Sequence, residues 1–248
     1  MIKKIALVTG AGSGIGRAAA IELGKEGWTV VLSGRTLKTL KETAELIEAS
    51  PTLIIASDIR DPKSVENLFR STFDHFGHLD LLFNNAGINK SSTPIEEVSF
   101  SDWKEVLDTN LTGAFLCLQQ AFKIMKKQAP MGGRIINNGS LSAYTPRPFS
   151  TAYNTSKHGI SGLTKSAALE GRNYNICCGQ IDIGNAQSKM TKRMTDGTIQ
   201  ADGSIKQEPT IDVNEVGKAV AYLASLPLDI NIPFFTIMAN KMPFIGRG

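Results

Sequence analysis

Three side chains near the middle of the chain could do acid–base chemistry together. Tyr153 and Lys157 stand four positions apart in Tyr153-Asn154-Thr155-Ser156-Lys157, and on a helix that spacing puts both on one face. A phenol with a pKa of about 10 is a poor proton donor or acceptor at neutral pH. A nearby ammonium stabilises the phenolate and brings that pKa down towards a useful value. Ser140 lies thirteen positions before the tyrosine. Pro146 and Pro148 keep the intervening segment from being helical, so it can fold back and offer the serine hydroxyl to the same substrate oxygen. A lone Tyr-x-x-x-Lys is usually just an exposed pair on an amphipathic helix, so the reading needs a second signal.

The N-terminus supplies one. The apolar run Ile5-Ala6-Leu7-Val8 leads into Thr9-Gly10-Ala11-Gly12-Ser13-Gly14-Ile15-Gly16 and then into the helix-forming Arg17-Ala18-Ala19-Ala20-Ile21-Glu22-Leu23. Strand, glycine turn and helix in that order form an anion site, because N–H groups at a helix start face outward and glycines let a pyrophosphate approach them. The spacing is not G-x-G-x-x-G: counted from Gly10 the third glycine would fall at Ile15, and from Gly12 at Arg17. It is T-G-x-x-x-G-x-G, on Gly10, Gly14 and Gly16.

With N-N-A-G at 84–87, Asn110, Ser140 and Y-x-x-x-K at 153–157 in the same order, the chain resembles the short-chain dehydrogenase/reductase family, in its branch of single-domain enzymes of about this length. The resemblance covers nearly the whole chain. It implies an α/β fold: one Rossmann-type domain over residues 1–248, with a doubly wound parallel sheet of about seven strands and helices on both faces. It implies an NAD(P)-dependent oxidoreductase exchanging a hydride with a carbonyl or secondary alcohol. Tyr153 would be the general acid/base and Ser140 a hydrogen-bond donor to the reacting oxygen. Lys157 would lower the tyrosine pKa and bind the nicotinamide ribose, and Asn110 would hold the water that links the lysine to solvent. Cofactor contacts would come from Gly10, Ser13, Gly14, Ile15 and Gly16 in the turn, then Arg35, Asp58, Ile59, Asn85, Tyr153, Lys157, Ile183 and Ser188. Asp58 would touch adenine, although an aspartate there could instead cap the next helix.

The chain departs from the family pattern in its interior and in its ending from Met238 to Gly248, where the family commonly has a glycine-rich end. Ile183-Gly184 stands where Pro-Gly is usual, Ser188 replaces a threonine, and Gly139 replaces a frequent serine before Ser140. The segment from Gln180 to Ala186 and the ending from Met238 to Gly248 resemble a subgroup whose members mostly lack assigned substrates. Cofactor choice is read at Ser33-Gly34-Arg35-Thr36. NAD-preferring relatives place an aspartate where Gly34 stands, and Arg35 could bind a 2′-phosphate. NADP is therefore the expected cofactor, with NAD the second candidate because the glycine loop has Ser13 rather than a basic residue. The competing reading is a catalytically silent dinucleotide-binding regulatory protein.

Alternating strand and helix signals support the parallel sheet. Strands are expected at 29–32, 53–56, 79–83, 134–137, 175–182 and 232–237, after the first at Ile5. Helices are expected at 39–48, 62–76, 100–127 (unbroken, carrying Asn110), 150–171 and 213–225. Residues 185–211 are too long and polar for an ordinary connection and read as a substrate lid. Tyr144 could wall the substrate pocket or simply pack. The net charge of +4 is spread without a dense basic run, which argues against a nucleic-acid surface. Cys117, Cys177 and Cys178 lack metal-site spacing and read as buried thiols, and His75, His78 and His158 receive no role. With a strand beginning near Lys4, no room remains for a signal peptide, and no apolar run spans a membrane; the expected location is the cytoplasm. Family members pair two helices across a two-fold axis. That implies a homodimer or homotetramer through Phe115, Leu118, Phe122, Ile160, Leu163 and Ala167, with the apolar tail 242–245 docked on its own core or a neighbour.

Overall fold

Ile5–Thr9 (β1) is buried at every position, the mark of a parallel strand covered on both faces. Within it Ala6 and Val8 turn to one core while Ile5 and Leu7 turn to the other, as the two-residue period requires. The computed structural model describes residues 3–90, 92–188, 191 and 196–245. Its further strands are β2 (Thr29–Gly34), β3 (Thr52–Ala56), β4 (Leu81–Asn84), β5 (Gly133–Asn138), β6 (Ile176–Ile183), the short β7 (Thr198–Ile199) and β8 (Ile205–Lys206), and β9 (Phe234–Ile237). The main sheet has seven strands in the order β3-β2-β1-β4-β5-β6-β9, all parallel. Strand order reverses between β1 and β4, so a crevice opens at their carboxyl ends, where such sheets bind ligands.

Helices α1 (Gly14–Lys25), α2 (Leu37–Glu45) and α7 (Val213–Ser225) cover one face through Leu23, Leu40 and Val220. On the other, α3 (Pro62–Phe76), α5 (Gly113–Met125) and α6 (Thr151–Gly171) contribute Phe69, Ala121 and Ala167. Start signals in the sequence explain their ends. Asp61 caps α3 by accepting from the Lys63 and Ser64 N–H groups, Pro62 takes the first turn, and Gly77 at φ 76° closes it.

The expected unbroken helix over 100–127 is instead two. Phe100–Leu107 (α4) and α5 are joined by a π turn, Asp108–Thr112. Thr109 and Asn110 both face inward there, Thr109 Oγ1 donating to the Glu105 carbonyl at 2.8 Å. Side chains that compete for backbone groups widen a helix in this way, and such turns are frequent at functional sites. Strand boundaries move by a residue or two. Asn175 cannot begin β6 because it sits at φ 55°, and Leu79 stays outside β4 because the Gln128 amide takes both its backbone groups.

Two further expectations are corrected in part. Leu118, Ile160 and Ala167 are buried within the chain itself, Leu118 and Ala167 in the core between the sheet and α5 and α6, so the outward apolar face is narrower than expected. In the tail, Met242 is buried and packs with Leu141 and Ala239, and Phe244 joins them, whereas Ile245 is exposed. Residues 246–248, and 189–190 and 192–195 of the expected lid, lie outside the described residues. The lid's described part forms the β7–β8 hairpin and returns to the body through an Ala186–Ile211 bridge. Among the described residues no helix is long and apolar enough to cross a membrane.

Candidate active site

The glycine turn is shaped by close approach. A Cβ on Gly16 would lie 2.3 Å from the Gly10 carbonyl oxygen and 2.6 Å from Asn85 Nδ2. Gly10 itself sits at φ 67°, where a side chain is strained. Thr9 and Asn85 lock this turn to the end of β4. The Thr9 hydroxyl accepts from the Asn85 and Ala86 N–H groups, and Asn85 Nδ2 donates to the Thr9 carbonyl at 2.8 Å. At the α1 start, Ser13 makes no side-chain cap, so its hydroxyl leaves the first-turn N–H groups to other partners, and such groups form an anion site.

The same cleft, about 750 Å³, is lined by Ser13, Gly14, Ile15, Arg35, Asp58, Ile59, Asn85, Ser140, Tyr153, Lys157, Ile183 and Ser188 with Gly10 and Gly16. Every cofactor-contact residue expected from sequence is thus brought to one place. Asp58 does not cap α3. It is gripped by Arg60, with Nε 3.0 Å from Oδ1 and Nη2 2.6 Å from Oδ2. That hydrogen-bonded guanidinium holds the carboxyl below the usual carboxylate range. Arg35 is exposed beside it at the end of β2, where Gly34 has only the Leu40 side chain within reach of a Cβ.

At the other end of the cleft Lys157 is buried. Its Nζ donates to the Asn138 carbonyl at 2.7 Å and lies 5.6 Å from the Tyr153 ring centroid. Burial lowers the Lys157 pKa to about 8, with the negative charge of Asp182 working against the shift. Ser140 opens a single 3-10 turn, Leu141–Ala143, and its Oγ accepts from the Ser142 N–H at 3.1 Å, so its own hydrogen is available to a substrate oxygen.

Asn110 does not line the cleft. Its side chain clamps the backbone of Ile88, accepting from N–H at 2.8 Å and donating to C=O at 2.9 Å, and reaches Ser156 Oγ at 3.2 Å. Ile88 does line the cleft, so Asn110 shapes its wall from behind. Tyr144 is also absent from the lining: its hydroxyl donates to Asp182 Oδ2 at 2.9 Å and its ring meets Phe244 edge-on. His158 bonds its own helix through the Asn154 carbonyl and is exposed. His78 bonds main-chain oxygens of Phe76 and Lys3. All three cysteines are free and buried, as the sequence suggested. Burial pushes the Cys117 and Cys178 thiols up to about 12.

Two groups of side chains escaped the sequence. The first is a buried polar chain crossing the sheet's carboxyl edge. Asn84 bonds Asn137, Asn137 bonds Thr164, Thr164 bonds Gln180, and Gln180 bonds Asp182. An aspartate and a glutamine inside the otherwise buried run Ile176–Ile183 were the signal that could have found it. The second joins lid and body. Arg147 Nη1 and Nη2 lie 3.0 and 2.5 Å from the two Glu208 oxygens, which also accept from Asn185 and Gln200. Burial alone would raise the Glu208 pKa, but the hydrogen bonds from Arg147 and Asn185 bring it down to about 2.

A family model described as short chain dehydrogenase matches residues 4–198. The chain belongs to that family. A 3beta-hydroxysteroid dehydrogenase of Mediterraneibacter gnavus is 37% identical over 193 residues, covering 77% of this chain and 69% of the relative. The crystal structure of 3-ketoacyl-(acyl-carrier-protein) reductase from Brucella melitensis, complexed with NADH, superposes with a TM-score of 0.85 at 25% identity, over 97% of this chain and 99% of that one. A metagenomic short-chain oxidoreductase in complex with NADP gives a TM-score of 0.79 at 26% identity, over 95% and 97%. The seven-stranded parallel sheet expected from sequence is the family's sheet, and the chain is an oxidoreductase of the dehydrogenase/reductase type.

Proposed function

We propose that this oxidoreductase interconverts a carbonyl and a secondary alcohol with NADP in preference to NAD, and that Tyr153 passes the proton. One observation carries the reading: the buried Lys157 ammonium stands beside the Tyr153 ring in the same cleft as the open glycine turn. A nicotinamide cofactor bound along that turn supplies or accepts the hydride. Tyr153 gives its phenolic proton to the carbonyl oxygen in reduction and recovers it from the alcohol in oxidation. Ser140 donates a hydrogen bond to the same oxygen as charge builds there. Lys157 holds the phenol's pKa down and binds the nicotinamide ribose. Asn110, through its grip on Ile88 and its bond to Ser156, supports the water that links the lysine to solvent.

The preference for NADP rests on the end of β2. None of Ser33, Gly34, Arg35 and Thr36 is acidic, the Asp58 carboxylate beside Arg35 in this corner is held by Arg60, and Arg35 is exposed to meet a 2′-phosphate. Two cofactor-bound relatives carry NADH and NADP, so the fold takes either, and this corner is the basis for the preference. The catalytically silent reading gains nothing from relatives named as dehydrogenase, reductase and oxidoreductase. Residues 1–248 act as one dinucleotide-binding and catalytic domain, with 185–211 as substrate lid and 238–248 as tail. Buried free thiols suit the reducing cytoplasm. Exposed Phe100, Phe115 and Leu169 on α4, α5 and α6 are the apolar surface through which a homodimer or homotetramer would form.

Absorbance at 340 nm with a panel of ketones, aldehydes and keto-esters should show cofactor oxidation, faster with NADPH than NADH at equal low concentration. No turnover on any carbonyl or alcohol, together with nucleotide binding, would favour the silent reading instead. Light scattering on the same preparation should give a dimer or tetramer; a stable monomer at micromolar concentration contradicts the assembly.

A further inference from the structure

Gly139, which departs from the family's usual residue before the catalytic serine, has a reason in its surroundings. A Cβ there would lie 2.0 Å from Asp182 Oδ1 and 2.6 Å from Gln180 Nε2. The glycine makes room for a carboxylate that is wholly buried in β6. A buried carboxylate is costly unless its oxygens are satisfied, and here they are. Oδ1 accepts from the Ser140 N–H at 3.0 Å and from Gln180 Nε2 at 2.6 Å, and Oδ2 accepts from the Tyr144 hydroxyl at 2.9 Å. Gln180 is in turn held by Ser161 and Thr164 on α6, the helix that carries Tyr153 and Lys157. One carboxylate therefore ties together β6, the serine loop and the catalytic helix.

We propose that Asp182 is a positioning residue for the reaction: through the space left by Gly139 it fixes the main chain of Ser140, and its charge balances that of buried Lys157. The inference rests on the oxidoreductase reading above. The titratable groups facing the carboxylate are Tyr144 from the serine loop and Lys157 from α6; Gln180 and the Ser140 N–H are neutral donors. Burial and the bond to Asp182 push the Tyr144 pKa up to about 12, so Tyr144 stays a proton donor across the working range. Burial also raises the Asp182 pKa, against its three hydrogen bonds and the Lys157 charge, while Asp182 supports the ammonium of Lys157. The two roles separate by substitution. Asp182→Ala removes both the bonds and the charge. Asp182→Asn keeps an oxygen for the Ser140 N–H and turns its amide to the Tyr144 oxygen, so it removes the charge alone.

The test is a set of purified full-length variants, compared in kcat, KM, NADPH affinity and pH profile. Asp182→Ala should lower kcat roughly 10- to 100-fold, as a small misplacement of a reacting group does, with NADPH affinity within about twofold of the parent. Asp182→Asn should recover most of that kcat. Losing that negative charge lowers the pKa of Lys157, so the alkaline limb of carbonyl reduction in Asp182→Asn should move to lower pH by about one unit. A folded Asp182→Ala with kcat within twofold of the parent, or an Asp182→Asn profile with an unmoved limb, overturns the proposal. Should Asp182→Ala fail to fold, the Asp182→Asn limb decides. Thermal unfolding reads the packing without any substrate. Gly139→Ala should be strongly destabilising in the parent and nearly neutral in an Asp182→Ala, Gln180→Ala background; additive costs overturn the proposal. An absence of turnover in the parent would instead sink the oxidoreductase reading, and the thermal cycle would still judge this one.

Discussion

The two ends of the cleft are held by different means. At the nucleotide end the shape is made by backbone: Gly16 packs against the Gly10 carbonyl, and Asn85 and Thr9 close the turn with hydrogen bonds to main chain. At the substrate end the shape is made by buried charge: Arg147 on Glu208, and Asp182 on Ser140 and Tyr144. The first arrangement suits a ligand whose phosphates are always the same. The second places the substrate wall on loops joined by side-chain pairs, where composition is less constrained than in a turn that backbone contacts shape.

The largest effect is expected at Gly16. Alanine there cannot be relieved by a side-chain shift alone, since the closest atom is the Gly10 backbone oxygen at 2.3 Å. Gly16→Ala should weaken NADPH binding by about two orders of magnitude or more, close to 3 kcal/mol, and lower the melting temperature. Unchanged NADPH affinity in a titration would show that the backbone does not set the nucleotide end.

A middle-sized effect is expected at Glu208, whose side chain is 1% exposed against 12% for Arg147. Removing one partner of a buried pair costs about 3 kcal/mol or more, so Glu208→Gln should melt earlier and raise substrate KM with NADPH affinity intact. The pH dependence follows from its pKa, held at about 2 against an ordinary 4.5. A depressed carboxylate stabilises the fold fully above 4.5, and that stability is lost as pH falls towards 2. Chemical denaturation between those values should fall steeply in the parent and less steeply in Glu208→Gln. Parallel slopes would mean that charge does not hold the substrate end.

The smallest effect is at Arg35, where a single exposed contact is removed. Arg35→Ala should lose about tenfold in NADPH affinity, the worth of one charge-assisted hydrogen bond, and nothing for NADH. Equal losses for both would assign the guanidinium to adenine stacking instead.

The same contrast explains what the sequence made readable. The glycine turn, Tyr153 with Lys157, and the start of α3 are local patterns that lie within a few residues; in the structure the glycines, Tyr153 and Lys157 line one cleft, and Pro62 opens α3. The substrate end is built from partners 38 and 61 positions apart, Tyr144 with Asp182 and Arg147 with Glu208; neither partner has a local pattern that names the other. Asn110 falls between. Its place in the chain was legible, but the π turn that sends its amide to Ile88 depends on the packing around it. Gly139 shows the limit most clearly, because it read as a departure until Asp182 appeared 2.0 Å from where its Cβ would be.

If Tyr153 transfers the proton while the rest of the cleft holds the cofactor, the two roles separate at its hydroxyl. Tyr153→Phe keeps the ring beside Lys157 and removes only the hydroxyl. On a confirmed carbonyl substrate its NADPH-dependent turnover should fall by roughly two orders of magnitude or more, with NADPH affinity within about twofold of the parent. A phenylalanine variant that keeps most of its turnover would contradict the mechanism.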